Sequence, residues 1–176
     1  MTALVIKVSK FNQDPVIFKN EMEELTQRIR ESSGLRINFP PIIFITDYYT
    51  EEEMCGLHKY CDCYVAPSFG EAINYPLLDA CGFGNNCISS DVAGPRYMKE
   101  VGLPVSLVEG MSQPCYDAEK HFYGYNNIYE NWFLTNLNSL AENMVDNVEK
   151  KREYVNMHNF SYESVGESII ERLFGE

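Results

Sequence analysis

The residues of this chain with the clearest chemical potential lie in one segment, residues 67–79, with the sequence PSFGEAINYPLLD. Two carboxylates, Glu71 and Asp79, are separated by seven residues, and Gly70 lets the backbone approach a ligand closely. The segment connects the end of a predicted strand to a predicted helix, and ligands of open parallel sheets bind at such ends. Because a helix N-terminus also favours a phosphate group, the segment is a candidate site for a phosphate-bearing ligand.

The two acids have ordinary interpretations as well as a functional one. A glutamate at a helix start commonly interacts with the helix dipole, and an aspartate within a helix commonly faces solvent. As ligand-binding groups, Glu71 could accept hydrogen bonds from sugar hydroxyls and Asp79 from a ribose diol. The backbone amides from about residue 72 to residue 75 could point into a cleft at this turn and so contact the same ligand.

The rest of the chain must position this segment, and its hydrophobic pattern alternates between strand and helix. Strands are predicted at residues 3–8, 41–46, 62–67, 87–90 and 104–109. Helices are predicted from Pro15 to about Ser33, after a Thr50–Glu53 capping box, at residues 72–83 and near Pro95. This alternation predicts an α/β fold, a doubly wound parallel sheet with helices on both faces.

The C-terminal part is less regular. Residues 111–131 are rich in Tyr, Asn and Gly and are predicted to form a long surface loop, whereas Trp132 is interpreted as a packing anchor. Helices are predicted from about residue 133 to residue 174, and the charged residues 149–153 are expected on a solvent-exposed helix face. The length favours one domain over residues 1–176.

Composition excludes several classes of partner. Fourteen Lys and Arg against 26 Asp and Glu give a formal net charge of −12, which argues against a nucleic acid or an anionic membrane. No apolar run reaches the roughly 20 residues of a transmembrane helix. The six cysteines follow no secretory signal and are expected to be reduced and mostly buried in a cytoplasmic protein. No metal site is expected, because Cys61 and Cys63 have no second pair of ligands.

The 67–79 segment resembles a motif of retaining glycosyltransferases of family four, which have the GT-B fold. The matching residues are Pro67, Ser68, Glu71, Pro76, Asp79, Ala80 and Gly84. The resemblance extends to Lys7, to residues 91–95 and to the region of Trp132, so it covers most of the chain. It implies the Rossmann-like, C-terminal donor-binding domain of such an enzyme.

The resemblance also implies roles for individual residues. In the family the first acid contacts the donor sugar, the second the ribose, and a lysine the diphosphate, which correspond here to Glu71, Asp79 and Lys7 or Lys10. Glu71 and Lys7 are accordingly the catalytic candidates. The donor-binding candidates are Lys10, Asp47, Ser68, Phe69, Gly70, Ala72, Ile73, Asn74, Tyr75 and Asp79.

The implied reaction is transfer of a sugar from a nucleotide-diphosphate sugar with retention of configuration and without a cofactor. The N-terminal acceptor-binding domain is expected elsewhere, in cis or in trans, so this chain should bind donor but turn over little. The sequence leaves open the base, UDP or GDP, the sugar and the acceptor.

Three positions depart from the family motif. Asp79 replaces a Glu, Ala72 and Asn74 stand where glycines are common, and Tyr97 stands where many members have a Glu. These departures define the alternative hypothesis, a glycosyltransferase-like module that has lost donor binding and serves in protein–protein interaction.

Overall fold

The computed structural model of the protein describes residues 2–114 and 131–175. The chain divides into two compact units, residues 1–54 and residues 55–176. Each unit is α/β, with parallel strands connected through helices. The single domain expected over residues 1–176 stays a prediction.

The first unit contains a two-stranded parallel sheet and one long helix. Strand β1 (Leu4–Lys7) pairs with β2 (Ile42–Ile45) so that Leu4 lies opposite Ile42. Helix α1 (Pro15–Ser32) begins where the Asp14 carboxylate accepts hydrogen bonds from the amides of Val16 and Ile17. These bounds confirm the predicted elements.

Burial in the first unit differs from the expectation that β1 is covered on both faces. All four β1 residues are only partly buried, and Ile43 of β2 is 48% exposed. Helix α1 buries no residue fully, and Ile29 is 59% exposed. Phe44 and Thr46 are the buried side chains among the described residues of this unit.

Helix α2 (Glu51–Tyr60) spans the division between the units and starts with the predicted capping box. The Thr50 amide donates to Glu53 Oε2 over 2.7 Å, and the Glu53 amide donates to Thr50 Oγ1 over 3.2 Å. The hydrogen bonds from the Thr50 amide and hydroxyl lower the pKa of the Glu53 carboxyl group.

The second unit contains a three-stranded parallel sheet in the order β3–β4–β5, formed by β3 (Cys63–Ala66), β4 (Asn86–Ser90) and β5 (Val105–Val108). Helix α3 (Tyr75–Gly82) connects β3 to β4, and α4 (Ala93–Glu100) connects β4 to β5. The central strand β4 is the most buried of the three, as expected for a parallel sheet covered by helices.

Helix α3 packs against this sheet through one face. Leu77, Ala80 and Cys81 lie at i, i+3 and i+4 and are fully buried. They pack with Cys87, Met98, Leu103 and Val105 in the core. Burial of Leu77 alone contributes about 1.5–3 kcal/mol. Asp79 lies off this face and is exposed.

The C-terminal part begins with an unpredicted hairpin. Strands β6 (Gly110–Pro114) and β7 (Asn131–Thr135) pair antiparallel, so both ends of the predicted 111–131 loop are strand. The intervening loop prediction lies outside the described residues. Helices α5 (Leu137–Val148) and α6 (Tyr162–Phe174) follow, so the predicted helical region starts at residue 137 instead of residue 133.

The charged residues 149–153 lie beyond α5 and not on its exposed face, which corrects that expectation. Arg152 is partly buried and donates hydrogen bonds to the carbonyls of Lys59 and Cys61. It therefore joins the C-terminal segment to the C-terminal end of α2. In the described part of the chain, no helix is long and apolar enough to cross a membrane.

The cysteines are less buried than expected. Of the five described thiols, all free, only Cys81 and Cys87 are buried, whereas Cys55 is exposed. Cys115 lies outside the described residues. Among residues 2–114 and 131–175, no group of three or more His, Cys, Asp or Glu side chains could hold a metal ion.

Candidate functional site

The segment from Pro67 forms a turn between the carboxyl end of β3 and helix α3. The helix begins at Tyr75, three residues later than predicted, because the Asn74 side chain caps it. Asn74 Oδ1 accepts a hydrogen bond from the Leu77 amide over 3.0 Å, and Pro76 occupies the first helical turn. Ala72 and Ile73 therefore belong to the turn and not to the helix.

Glu71 is held in this turn by its neighbours. Its Oε1 atom accepts hydrogen bonds from the Ser68 hydroxyl over 2.9 Å and from the Asn74 side-chain amide over 3.3 Å. Among the described residues, no donor contacts the second carboxylate oxygen, Oε2. A half-buried carboxylate fixed through one oxygen can accept hydrogen bonds from ligand hydroxyls through the other.

Asn74 thus has two functions in the turn. Its side-chain oxygen caps α3 while its side-chain nitrogen orients Glu71. From the sequence, Asn74 was a donor-binding candidate and a departure from a glycine, but it was not predicted as a helix cap. An asparagine two residues before a proline is a recognisable helix-start signal. The side chain itself is buried, at 5% exposure.

Helix α4 approaches the turn closely. The Gly94 amide donates to the Glu71 carbonyl over 3.3 Å. A Cβ atom at Gly94 would lie 2.4 Å from the Ala72 carbonyl oxygen, which leaves no room for a side chain. The first turns of α3 and α4 therefore both lie beside residues 71–74, and both present helix N-termini, where the dipole favours negative charge.

Asp79 lies on α3, away from the core face of the helix. The Asp79 charge acts on His58 and on Tyr64. Burial lowers the pKa of His58, and the nearby negative charge of Asp79 partly opposes that shift. Burial also raises the pKa of the Tyr64 hydroxyl, and the charges of Glu71 and Asp79 raise it further. Both candidate acids are therefore within electrostatic reach of Tyr64.

An aromatic pair borders the turn on the hairpin side. The Phe69 and Trp132 rings stack with centroids 5.2 Å apart and planes within 3°. The Phe133 amide donates to the Phe69 carbonyl over 2.8 Å, so β7 is bonded directly to the turn. Trp132 packs, as interpreted from the sequence, but its partner belongs to the candidate site.

The remaining candidates of the turn are exposed. Ile73 is 54% and Tyr75 65% exposed, and Gly70 has open space where a side chain would stand. Gly70 has no positive φ angle, so its glycine is not required by the backbone conformation. Apolar side chains therefore contribute part of the surface around Glu71.

The lysine candidates and Asp47 belong to the first unit. The Lys7 ammonium lies 5.5 Å from the centroid of the Tyr49 ring, and the Lys10 ammonium lies 5.9 Å from that of Phe18. Lys7 is the last residue of β1, and Asp47 follows β2 and is exposed. These residues thus lie at the carboxyl ends of the two parallel strands of their own sheet.

The His58 side chain is buried and packs against an aromatic ring. It is 6% exposed, stacks on Phe83 with centroids 5.8 Å apart, and its carbonyl accepts a hydrogen bond from the Asn85 side chain. His158 lies in a 3-10 turn and is exposed, and His121 lies outside the described residues.

Two surface depressions have linings that include no residue of the turn, one on α6 beside Ile170 and Phe174 and one in the first unit beside Arg30 and Phe39. Comparison with protein families, with curated proteins and with solved structures returned no match. The relation of this chain to family-four glycosyltransferases is therefore a hypothesis that rests on its own residues.

Proposed function

We propose that this chain is the donor-binding domain of a retaining glycosyltransferase with the GT-B fold, and that the turn of residues 67–74 holds a nucleotide-diphosphate sugar. The observation that carries the proposal is the Glu71 carboxylate, fixed through Oε1 by Ser68 and Asn74. Because this carboxylate is already fixed, it loses little further conformational entropy when it accepts hydrogen bonds from sugar hydroxyls. Ser68 and Glu71 are also motif residues of the family that the sequence resembles.

The surroundings of Glu71 are consistent with a diphosphate nearby. The turn lies at the carboxyl end of a parallel strand, where ligands of α/β sheets bind. The first turns of α3 and α4 provide dipoles that favour an anion. The resemblance to the family adds Lys7 or Lys10 as the lysine that would contact the diphosphate. Stabilisation of the leaving diphosphate by such groups is a recognised source of rate enhancement.

The proposal also includes a more specific architecture than α/β, namely the Rossmann-like, doubly wound sheet of one half of a GT-B enzyme. The acceptor-binding half would come from another domain or chain. Transfer by this chain alone is then expected to be slow or undetectable.

A second function is favoured by the exposed apolar residues of the same turn. Phe69, Ile73 and Tyr75 expose half or more of their surface and could contribute to a protein-binding patch. In that case the chain would be a glycosyltransferase-like interaction module without donor binding. Asn74, one of the departures behind this alternative, also caps α3 and orients Glu71.

A thermal-shift panel of nucleoside diphosphates separates the two functions. A ligand that binds the folded state raises the melting temperature with the logarithm of its concentration over Kd. We expect UDP or GDP to raise it and the corresponding nucleoside to have a smaller effect. Equal melting temperatures with and without every member of the panel would favour the interaction module.

A further inference from the structure

Two thiols of the second unit lie side by side in its core. Cys81 is in the last turn of α3 and Cys87 is in the central strand β4, and their exposed fractions are 0% and 1%. Their Sγ atoms are 3.5 Å apart, although the two residues belong to different elements. A disulfide needs an S–S distance of about 2.05 Å, so the two sulfurs must approach by only about 1.5 Å to bond.

The turn between α3 and β4 fixes this approach. Gly84 has a φ angle of 74°, and its amide donates to the Cys81 carbonyl over 3.0 Å. The Asn85 amide donates to the Ala80 carbonyl over 2.9 Å. These two bonds form a Schellman motif, which ends a helix in a defined conformation. The Asn85 side chain is buried and donates to the His58 carbonyl, so the turn is held on its other side as well.

The two thiols also differ in acidity. A hydrogen bond between them lowers the pKa of Cys81, because the Cys87 thiol can donate to the Cys81 thiolate. The same hydrogen bond, together with burial, raises the pKa of Cys87, which therefore keeps its proton. A thiolate next to a protonated thiol is suited to oxidation in two steps: the thiolate attacks the oxidant, and the thiol then resolves the product.

An irregular segment covers the end of α3 beside this pair. The Met157 side chain lies 3.4 Å from the position of a Cβ atom at Gly82, and the Tyr154 ring lies 3.1 Å from that position at Gly84. Met157 also packs on the core that contains both cysteines. Residues 151–157 form no helix or strand. Because such a segment opens at a lower free energy than a core sheet, a small oxidant can reach the pair in the folded chain.

We propose that Cys81 and Cys87 are a reversible redox modification site, at which hydrogen peroxide converts the two thiols into an intrachain disulfide. The Cys81 sulfur attacks one peroxide oxygen, the O–O bond breaks, and the leaving hydroxide takes the Cys81 proton to form water. The Cys87 sulfur then attacks the resulting sulfenic acid, the S–O bond breaks, and the Cys87 proton leaves with the hydroxyl group as a second water. The pair loses two protons and two electrons, and a dithiol reductant returns them.

The test is treatment of the folded full chain with hydrogen peroxide, raised until the exposed Cys55 is oxidised. Remaining thiols are alkylated with iodoacetamide in denaturant, and the chain is digested with trypsin and chymotrypsin for mass spectrometry. Chymotrypsin cuts after Phe83, between the two cysteines, and after Tyr64, which separates them from Cys63. We expect two peptides joined through Cys81 and Cys87, which dithiothreitol separates. Without peroxide, both thiols should be alkylated.

Three variants and one condition show that the fold selects this pair. Cys81→Ala and Cys87→Ala should each abolish the link and leave the other thiol free for alkylation. Cys63→Ala is the matched control, since Cys63 lies partly buried on the adjacent strand β3 and burial raises its pKa to about 11. This variant should form the link as the wild type does. Oxidation in guanidinium chloride should instead give mixed pairings among the six cysteines.

The wild-type result decides the proposal even if an alanine variant does not fold. A link between Cys81 and Cys87 that dithiothreitol reverses supports it. Full alkylation of both thiols, once Cys55 has been oxidised, overturns it. A sulfinic acid at Cys81 without the link, or pairing of Cys87 with another cysteine in the folded chain, overturns it too. None of these outcomes depends on binding of a nucleotide-sugar.

Discussion

At the scale of single residues, the two candidate acids have different environments. Glu71 is half-buried and accepts two hydrogen bonds through one oxygen, whereas Asp79 is exposed on the outer side of α3. The spacing of seven residues was visible in the sequence. Their different burial was not, because it depends on the face of α3 that packs on the sheet.

Glu71 and Asp79 are predicted to divide the donor between them. Glu71→Gln should weaken binding of the intact nucleotide-sugar and hardly affect the free nucleoside diphosphate, whereas Asp79→Asn should weaken both. Each variant should lose about 1–3 kcal/mol of binding free energy for the nucleotide-sugar, because a ligand hydroxyl is left with a poorer hydrogen-bond partner. Titration calorimetry of both variants with both ligands measures it. The division would be refuted if Glu71→Gln, like Asp79→Asn, affected the two ligands equally, or if neither variant changed either affinity.

His58 gives a pH-dependent prediction. Burial lowers its pKa below the ordinary value of 6.5, so the unfolded chain binds more protons than the folded chain around that pH. The free energy of unfolding should therefore fall as the pH is lowered through about 6.5. Asp79 opposes the shift, so Asp79→Asn should lower the His58 pKa further.

An NMR titration of the His58 ring checks both statements. A His58→Phe variant keeps a stacking ring and should lose this part of the pH dependence of unfolding. A His58 pKa at or above the ordinary value of 6.5 would contradict the account.

At the scale of elements, helix α3 and the turn before it depend on Asn74. Asn74→Ala should destabilise the fold by about 0.5–2 kcal/mol through loss of the helix cap. Asn74→Asp keeps an oxygen for the cap but loses the donor to Glu71 and places two carboxylates side by side. Chemical denaturation and nucleotide-sugar titration of both variants separate the two functions of Asn74.

The expected pattern is a larger loss of stability in Asn74→Ala and a loss of sugar binding in both variants. If Asn74→Asp bound the nucleotide-sugar as tightly as the wild type, orientation of Glu71 by Asn74 would be unimportant. Equal stability of Asn74→Ala and the wild type would show that the cap contributes nothing.

The close approach of α4 to the turn gives a second prediction at this scale. Gly94→Ala places a methyl group 2.4 Å from the Ala72 carbonyl oxygen and should destabilise the fold by about 1–3 kcal/mol. Gly166→Ala in α6 meets nothing within 4 Å and should stabilise it by up to about 1 kcal/mol. The melting temperatures of the two variants should shift in opposite directions. Shifts of the same sign would contradict this packing.

At the scale of the whole molecule, the alternation of strands and helices was predictable because it follows from the local periodicity of hydrophobic residues. The strands from β1 to β5 and the helices α1, α5 and α6 appear within a few residues of their predicted positions. The start of α3 was predicted too early, because Ala72 and Ile73 fit a helical pattern and the cap at Asn74 overrides it.

Contacts between distant residues were not predictable. The hairpin of β6 and β7 depends on pairing across a long segment, and the buried hydroxyl pair of Ser90 and Thr135 joins residues 45 positions apart. Arg152 donates a hydrogen bond to the carbonyl of Lys59, which lies 93 positions earlier in the chain. Phe69 was predicted as a donor-binding residue, but its stacking on Trp132 has no local sequence signal.

The most direct measurement of the central claim is a calorimetric titration of the wild-type chain and Lys7→Ala with UDP and GDP. The account predicts saturable binding of one nucleoside diphosphate to the wild type. It also predicts that Lys7→Ala loses about 1.5–3 kcal/mol of the free energy of diphosphate binding, the scale of a charge-assisted hydrogen bond. Unchanged affinity in Lys7→Ala would move the diphosphate to Lys10 or remove the lysine's role, and no binding of either diphosphate to the wild type would contradict the account.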